Sequence, residues 1–135
     1  MFKKFVLATV AASLMVGSAN AASLNDADKS YIAVASGVAL VISNCDAYTP
    51  VPGSLIKVKD RLGVSNEVPT AMLTALKMFA DADYDRDDLN PAVTRNTKAT
   101  LDALSKDLSK SKKKFCDTYG KVLVDGGLFT KSSKL

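Results

Sequence analysis

Apolar residues recur at helical spacing in the last third of the chain, after Pro91. From Ala92 to about Val124 they stand three, four and seven positions apart, which is the spacing of one buried face of an amphipathic helix. The pattern predicts a single long helix over this stretch, bent near Gly120. Its inward positions are Leu101, Leu104, Leu108, Phe115 and Val122, with Thr94, Thr97, Ser111 and Thr118 in the same register.

The first helix is predicted to begin at Asn25 or Asp26, since either side chain can cap it, and to end before Pro50. Residues 32–42 are apolar nearly all round, which is typical of a helix at the centre of a bundle. The run is too short to span a bilayer, which takes about 20 apolar residues. Gly37 is expected to let another helix approach closely. The face expected to be buried carries Tyr31, Val34, Ala35, Val38, Val41, Ile42 and Cys45.

Two shorter helices are predicted before the acidic stretch. Ser54 is expected to cap the first, and Gly63 to end it. The second starts near Asn66, with Pro69 in its first turn. No run shows the alternation of a strand, so no sheet is predicted. The expected buried positions are Leu55, Ile56, Val58 and Leu62 in the first and Met72, Leu73, Leu76, Phe79 and Ala80 in the second. The fold class is therefore all-α, a small bundle of about four helices.

The N-terminus has the form of a secretory signal. Two lysines precede an apolar run over 5–17, and the small residues up to Ala21 fit a signal-peptidase site. Residues 1–21 are therefore predicted to be removed, leaving no transmembrane anchor. Residues 22–135 are predicted to form a single helical domain with a frayed tail from Lys131 to Leu135. The predicted location is the periplasm or the exterior of a bacterial cell.

Charge and cysteine content refine this interpretation. Removal of residues 1–21 takes away two of the 18 basic residues and none of the 14 acidic ones, so the mature chain has a net charge of +2. That charge is too small for a dedicated nucleic-acid-binding domain. The two cysteines, Cys45 and Cys116, are predicted to form one structural disulfide, because exported proteins oxidise their thiols. A redox-active pair is disfavoured because neither belongs to a C-x-x-C motif.

An acidic stretch precedes the long helix. Asp81, Asp83, Asp85 and Asp87 match the early ligand positions of an EF-hand loop, which makes them weak calcium candidates. The sixth position, which requires glycine, holds Arg86, and the twelfth, which requires glutamate, holds Ala92. The favoured interpretation is a solvated turn between helices, with Asp88 or Asn90 as the cap of the long helix. No metal ion or other cofactor is expected.

Lysines cluster within a few turns of the long helix. They are Lys106, Lys110, Lys112, Lys113 and Lys114. Such a face can bind an anionic partner, or it can simply be solvated. It lacks the interleaved aromatic residues of single-stranded nucleic-acid sites.

The residue types available argue against catalysis. The chain has no histidine, and its single glutamate, Glu67, stands alone. No glycine-rich phosphate loop or G-x-S-x-G motif is present. We therefore expect an exported non-enzymatic protein that acts through contacts with another protein, as a periplasmic chaperone, adaptor, inhibitor or secreted effector. The alternative is a protein that binds anionic envelope surfaces, lipid or lipopolysaccharide, through the lysine-rich face.

Overall fold

Five α-helices account for most of residues 24–132, the part of the chain that the computed structural model describes. The predicted signal lies outside the described residues. The elements in chain order are α1 (Asp26–Asn44), β1 (Tyr48–Pro50), α2 (Ser54–Leu62), α3 (Glu67–Phe79), a 3-10 helix (Arg86–Asp88), α4 (Pro91–Lys110), α5 (Lys112–Asp125) and β2 (Phe129–Lys131). The predicted all-α fold is confirmed, with one more helix than the four expected.

The central helix is α1, as its apolar sequence predicts. It begins with a capping box, in which the Asn25 side chain accepts from the Asp28 N–H at 2.8 Å and the Asp28 carboxylate accepts from the Asn25 N–H at 3.3 Å. It packs against α2, α4, α5 and β1. The prediction for Ile42 is wrong, since that side chain is 52% exposed. In the last turn of α1 the buried side carries Val41, and Ile42 lies about 100° around the helix from it.

The ends of α2 are set by two glycines. Gly53 (φ 78°) precedes the helix and Gly63 (φ 76°) ends it, both in the left-handed conformation that glycine adopts without a steric penalty. Ser54 is not the cap that was predicted, because its hydroxyl donates instead to the Val51 carbonyl at 2.7 Å. Val58 is buried, whereas Ile56, two positions away and so on the opposite side, is 62% exposed. The inward assignment of Ile56 is therefore wrong.

The buried face of α3 differs from the predicted one. α3 packs against α4, and it is Ala71 and Ala75 that are buried there, together with Val68 and Met72. Leu73 and Phe79, predicted inward, are 55% and 39% exposed, and Ala80 is also exposed. The apolar pattern of α3 allows two overlapping faces, and packing selected the one with small residues because small side chains let two helix axes approach.

The predicted long helix is broken at Ser111. This residue is extended (φ −163°, ψ 109°), and its hydroxyl accepts from the Lys114 N–H at 3.2 Å, so it caps α5. The helical register restarts there. Phe115 is buried as predicted, but Leu123 replaces Val122, which is 60% exposed. At the other end of α4 the predicted cap is confirmed, because the Asn90 side chain accepts two backbone N–H groups.

A two-stranded sheet is present, contrary to the prediction. β1 and β2 pair antiparallel, with Tyr48 opposite Lys131 and Pro50 opposite Phe129. Each strand has three residues, too few for an alternating pattern to be visible in the sequence. The predicted tail therefore begins too early, since Lys131 belongs to β2 and the Ser132 N–H donates to the Ala47 carbonyl at 2.7 Å. Residues 133–135 lie outside the described part.

The predicted disulfide is confirmed. Cys45, directly after α1, bonds to Cys116 in α5 with an S–S length of 2.03 Å and a Cα–Cα distance of 5.6 Å. The predicted close approach at Gly37 is wrong, because a Cβ there would have nothing within 4 Å. The glycine that permits a close approach is Gly120, against whose backbone the Tyr48 ring packs.

Candidate functional site at the α4–α5 junction

The five predicted lysines lie on both sides of the break at Ser111. Lys106 and Lys110 are in the last turns of α4, and Lys112, Lys113 and Lys114 form the first turn of α5. All five side chains are exposed. The structure thus brings them together around one junction, rather than along one straight helix face.

Only one of these lysines has an acidic partner in the described part of the chain. Lys113 Nζ lies 2.8 Å from the Asp117 carboxylate. Their hydrogen bond, with the attraction of the two charges, raises the pKa of Lys113 and lowers the pKa of Asp117. An exposed pair of this kind contributes little to stability. Lys106, Lys110, Lys112 and Lys114 form no ion pair within residues 24–132.

The three lysines of α5 occupy an unfavourable place for that helix. Backbone N–H groups at a helix N-terminus carry a partial positive charge, which disfavours cations there by about 0.3–1 kcal/mol each at exposed positions. Lys112, Lys113 and Lys114 are the first three residues of α5. They do not stabilise α5 through its dipole, so their presence is not explained by the stability of the helix that carries them.

A concave site opens between the two helices at this junction, with a cavity volume of about 320 Å³. We call it the junction cleft. Its lining consists of Asp107, Lys110, Ser111, Lys114, Phe115, Thr118 and Tyr119. The rings of Phe115 and Tyr119 lie 4.7 Å apart, centroid to centroid, and supply its aromatic part. The cleft therefore joins cationic, hydroxyl and aromatic groups.

Tyr119 and Asp107 connect the two helices across the break. The Tyr119 hydroxyl donates to the Asp107 carboxylate at 2.9 Å. This hydrogen bond, with a smaller effect of burial, raises the pKa of Tyr119. A hydrogen bond from a neutral phenol does not cancel the charge of a carboxylate. The charged groups of the cleft are therefore Asp107 and the ammonium groups of Lys110 and Lys114, for a formal charge of +1.

Replacement of Asp107 by asparagine is expected to lower the pKa of Tyr119 towards the usual value for tyrosine. The carboxylate favours the protonated phenol because it accepts a hydrogen bond from the phenol O–H. A neutral amide oxygen accepts this hydrogen bond more weakly. NMR titration of the tyrosine ring signals would follow the change. Asp102→Asn is the control, since Asp102 pairs with Lys98 and should leave Tyr119 as it is. An unchanged pKa of Tyr119 in Asp107→Asn would contradict the assignment.

A larger depression lies beside Tyr48, with a volume of about 550 Å³. Two of its lysines, Lys113 and Lys121, are paired with Asp117 and Asp125, at 2.8 Å and 3.3 Å. Its positive charges are thus partly neutralised by its own carboxylates. The junction cleft is smaller but has two lysines without an ion pair within residues 24–132, whereas the depression has one, Lys131, so the cleft is the stronger candidate for binding an anionic ligand.

The acidic stretch forms an exposed turn between α3 and α4. Asp81, Asp83, Asp85 and Asp87 are all exposed, and the Asp85 side chain accepts from the Asp87 N–H at 2.9 Å to start the 3-10 helix. Across residues 24–132 no three His, Cys, Asp or Glu side chains are grouped so that they could hold a metal ion. The calcium hypothesis therefore gains no support from the geometry.

Sequence reasoning predicted two lining residues of the junction cleft, Lys110 and Lys114, as site residues. It missed the other five, which are Asp107, Ser111, Phe115, Thr118 and Tyr119. One signal was available for Ser111, because serine is a preferred N-cap residue. The capping-box partner expected three residues later is Glu or Gln, and Lys114 stands there instead. No local signal exists for the Asp107–Tyr119 contact, which depends on the angle between two helices.

Two further findings bear on function. Within the described ranges, no helix has both the length and the apolar character needed to cross a membrane. Comparison of the chain with protein-family models, curated proteins and solved structures finds no match.

Proposed function

We propose that this is an exported, non-enzymatic protein that acts by binding another protein at the junction cleft. The observation that supports this most is that Lys110 and Lys114 line a concave site without a carboxylate partner in residues 24–132. Charge-assisted hydrogen bonds from ammonium groups to carboxylates are among the stronger polar contacts. A partner segment that carries carboxylates beside an apolar side chain would meet both the lysines and the Tyr119 ring, which packs on the buried Phe115.

Export is supported by two features. The sequence of residues 1–21 has the form of a secretory signal. The Cys45–Cys116 disulfide is typical of proteins that fold in an oxidising compartment. A binding role, rather than a catalytic one, is supported by the engaged state of two cleft hydroxyls. Ser111 caps α5, and the Tyr119 hydroxyl donates to Asp107.

The test is capture of envelope proteins by the mature chain, compared with two charge-neutralised variants. Lys110→Gln with Lys114→Gln is expected to weaken capture of a specific partner by about tenfold or more, which corresponds to ~1.4 kcal/mol or more. The matched control is Lys57→Gln with Arg61→Gln, which removes the same charge at the same spacing from exposed positions of α2. Equal capture by the cleft variant and the wild type would refute the cleft as the binding site.

A second candidate function is binding of anionic envelope surfaces, lipid or lipopolysaccharide. It is favoured by the absence of ion pairs at Lys106, Lys110, Lys112 and Lys114 among the described residues. Each lysine near an anionic membrane surface contributes about 1 kcal/mol to binding, whether or not it lines the cleft. Lys106→Gln with Lys112→Gln is therefore expected to weaken binding to vesicles rich in phosphatidylglycerol as much as the cleft variant does. Binding to a protein partner is expected to be weakened chiefly in the cleft variant.

A further inference from the structure

The turn between α3 and α4 has a charge opposite and equal to that of the lysine-rich junction. Residues 81–88, here called the acidic turn, contain five aspartates and one arginine, for a formal charge of −4. Residues 106–114 contain five lysines and one aspartate, for a formal charge of +4. No carboxylate of the acidic turn forms an ion pair within the described part of the chain. The two surfaces are therefore complementary in charge.

The two surfaces cannot neutralise each other within one molecule. The acidic turn directly precedes α4 and the junction directly follows it, so they lie at opposite ends of a helix of 20 residues. At 1.5 Å per residue, α4 separates them by about 30 Å. That distance is several Debye lengths at physiological salt, where the Debye length is about 8 Å.

The dipole of α4 explains this charge distribution only in part. Lys110 lies in the last turn of α4, where a cation is favourable, but the first turn of α4 contains no acidic residue. Lys112 and Lys114 belong to the first turn of α5, where the dipole disfavours them. The aspartates of the acidic turn and these two lysines form no ion pair within residues 24–132.

The acidic turn is held in a defined conformation by its own backbone. Asp81 has a left-handed φ of 57°, and the Ala82 N–H donates to the Lys77 carbonyl at 2.9 Å, which closes α3. The Asp85 side chain then starts the 3-10 helix, and the Leu89 N–H donates to the Arg86 carbonyl at 3.1 Å. A preformed segment loses less conformational entropy on binding than a flexible one.

We infer that the acidic turn of one copy of this chain docks at the junction cleft of a second copy. The inference rests on the proposed function, for which it names the partner. The aspartates of one copy meet Lys110 and Lys114 of the other. Because the turn of one copy pairs with the cleft of the other, two arrangements satisfy the contact: a reciprocal two-fold dimer with antiparallel α4 helices, or head-to-tail rings and open chains.

Sedimentation velocity of the mature, disulfide-bonded chain over a series of concentrations tests this. The wild type is expected to associate at about 0.02 M salt and to be monomeric at about 0.5 M salt, because screening weakens contacts between exposed charges. Two charge-reversed variants are compared: Lys110→Glu with Lys114→Glu in the cleft, and Asp83→Lys with Asp87→Lys in the turn. Each alone is expected to associate at least about tenfold more weakly, since the formal charge of the altered segment falls from +4 to 0 in the cleft variant and rises from −4 to 0 in the turn variant.

Sedimentation of a mixture of the two variants is the decisive measurement. The cleft variant keeps its acidic turn and the turn variant keeps its lysine-rich cleft, so an equimolar mixture is expected to associate again through this one unaltered pair of surfaces. Lys57→Glu with Arg61→Glu on α2 is the matched control, and should associate as the wild type does. Circular dichroism of each variant confirms that it is folded before sedimentation.

A wild type that stays monomeric at low salt, or a mixture that fails to associate, overturns the inference. If that happens while Lys110→Gln with Lys114→Gln still loses an envelope partner, the cleft binds a different acidic protein. The proposed function then stands and only the second copy as partner is wrong. Loss of self-association in the cleft variant together with recovery in the mixture supports the inference.

Discussion

Replacement of both cysteines by alanine is expected to lower the free energy of unfolding by about 4 kcal/mol. The bridge joins residues 71 positions apart, and a crosslink over a loop of that length strongly restricts the unfolded chain. Small domains have total stabilities of about 5–15 kcal/mol, so this loss removes between about a quarter and four fifths of the total. Urea unfolding of the mature chain, followed by circular dichroism, measures the change.

Alanine is the suitable replacement because Cys45 is 3% exposed, and a serine hydroxyl would be buried there without an assured partner. The reduced wild type is the control, since it lacks the crosslink but keeps both side chains. It should lose nearly as much stability as the double variant. A loss below about 1 kcal/mol in both would contradict a stabilising role for the bridge.

Gly120→Ala is expected to destabilise the fold by about 2 kcal/mol, although alanine normally stabilises a helix interior. A methyl group at this position would overlap the Tyr48 ring. Tyr48 is 8% exposed and its backbone is paired with Lys131 in the sheet, so the ring can avoid the methyl group only by turning into the depression beside it, which gives up its packing on α5. Thermal or urea unfolding would show the loss as a lower midpoint.

Gly37→Ala is the matched control for that substitution. Gly37 also lies in a helix interior, but a Cβ there would meet nothing within 4 Å, so we expect a gain of up to about 1 kcal/mol from helix propensity. A double-mutant cycle with Tyr48→Ala separates the causes, since Gly120→Ala should become harmless once the ring is removed. If Gly120→Ala were still destabilising in that background, overlap with Tyr48 would not be the reason.

The positions where helices begin and end could be predicted well from sequence. Asn25 and Asn90 cap α1 and α4 as expected, and Gly63 ends α2. These signals are local, because a cap acts on backbone groups two or three residues away. The exceptions are the cap predicted at Ser54, where Gly53 precedes the helix instead, and the break at Ser111. The spacing of apolar residues is the same on both sides of Ser111, so periodicity alone does not reveal that this one residue is extended.

The choice of buried face was less predictable. Leu73, Phe79 and Val122 fit apolar stripes but are exposed, whereas Ala71, Ala75 and Leu123 are buried. The apolar residues of a helix define a broad face, and the neighbouring helix determines which residues of that face are buried. That selection depends on side-chain volumes in two helices together.

At the candidate site, too, local features could be predicted from the sequence and contacts between helices could not. The sequence identified five lysines, but not that four of them lack a carboxylate partner in residues 24–132, nor that Asp107 and Tyr119 meet beside them. Pairing within a helix follows from spacing, as at Lys113 and Asp117. Contacts across the junction depend on how the chain turns at Ser111.

The amino-acid sequence by itself determined the all-α class, the limits of most helices, the pairing of Cys45 with Cys116, and the two oppositely charged segments. These follow from local backbone chemistry, from apolar periodicity and from residue counts. Only the tertiary structure decided the break at Ser111, the β1–β2 pair, the close approach of Tyr48 to Gly120 and the junction cleft. Each of these joins segments distant in the chain, or depends on how they pack, and such contacts are fixed by the fit of volumes in three dimensions.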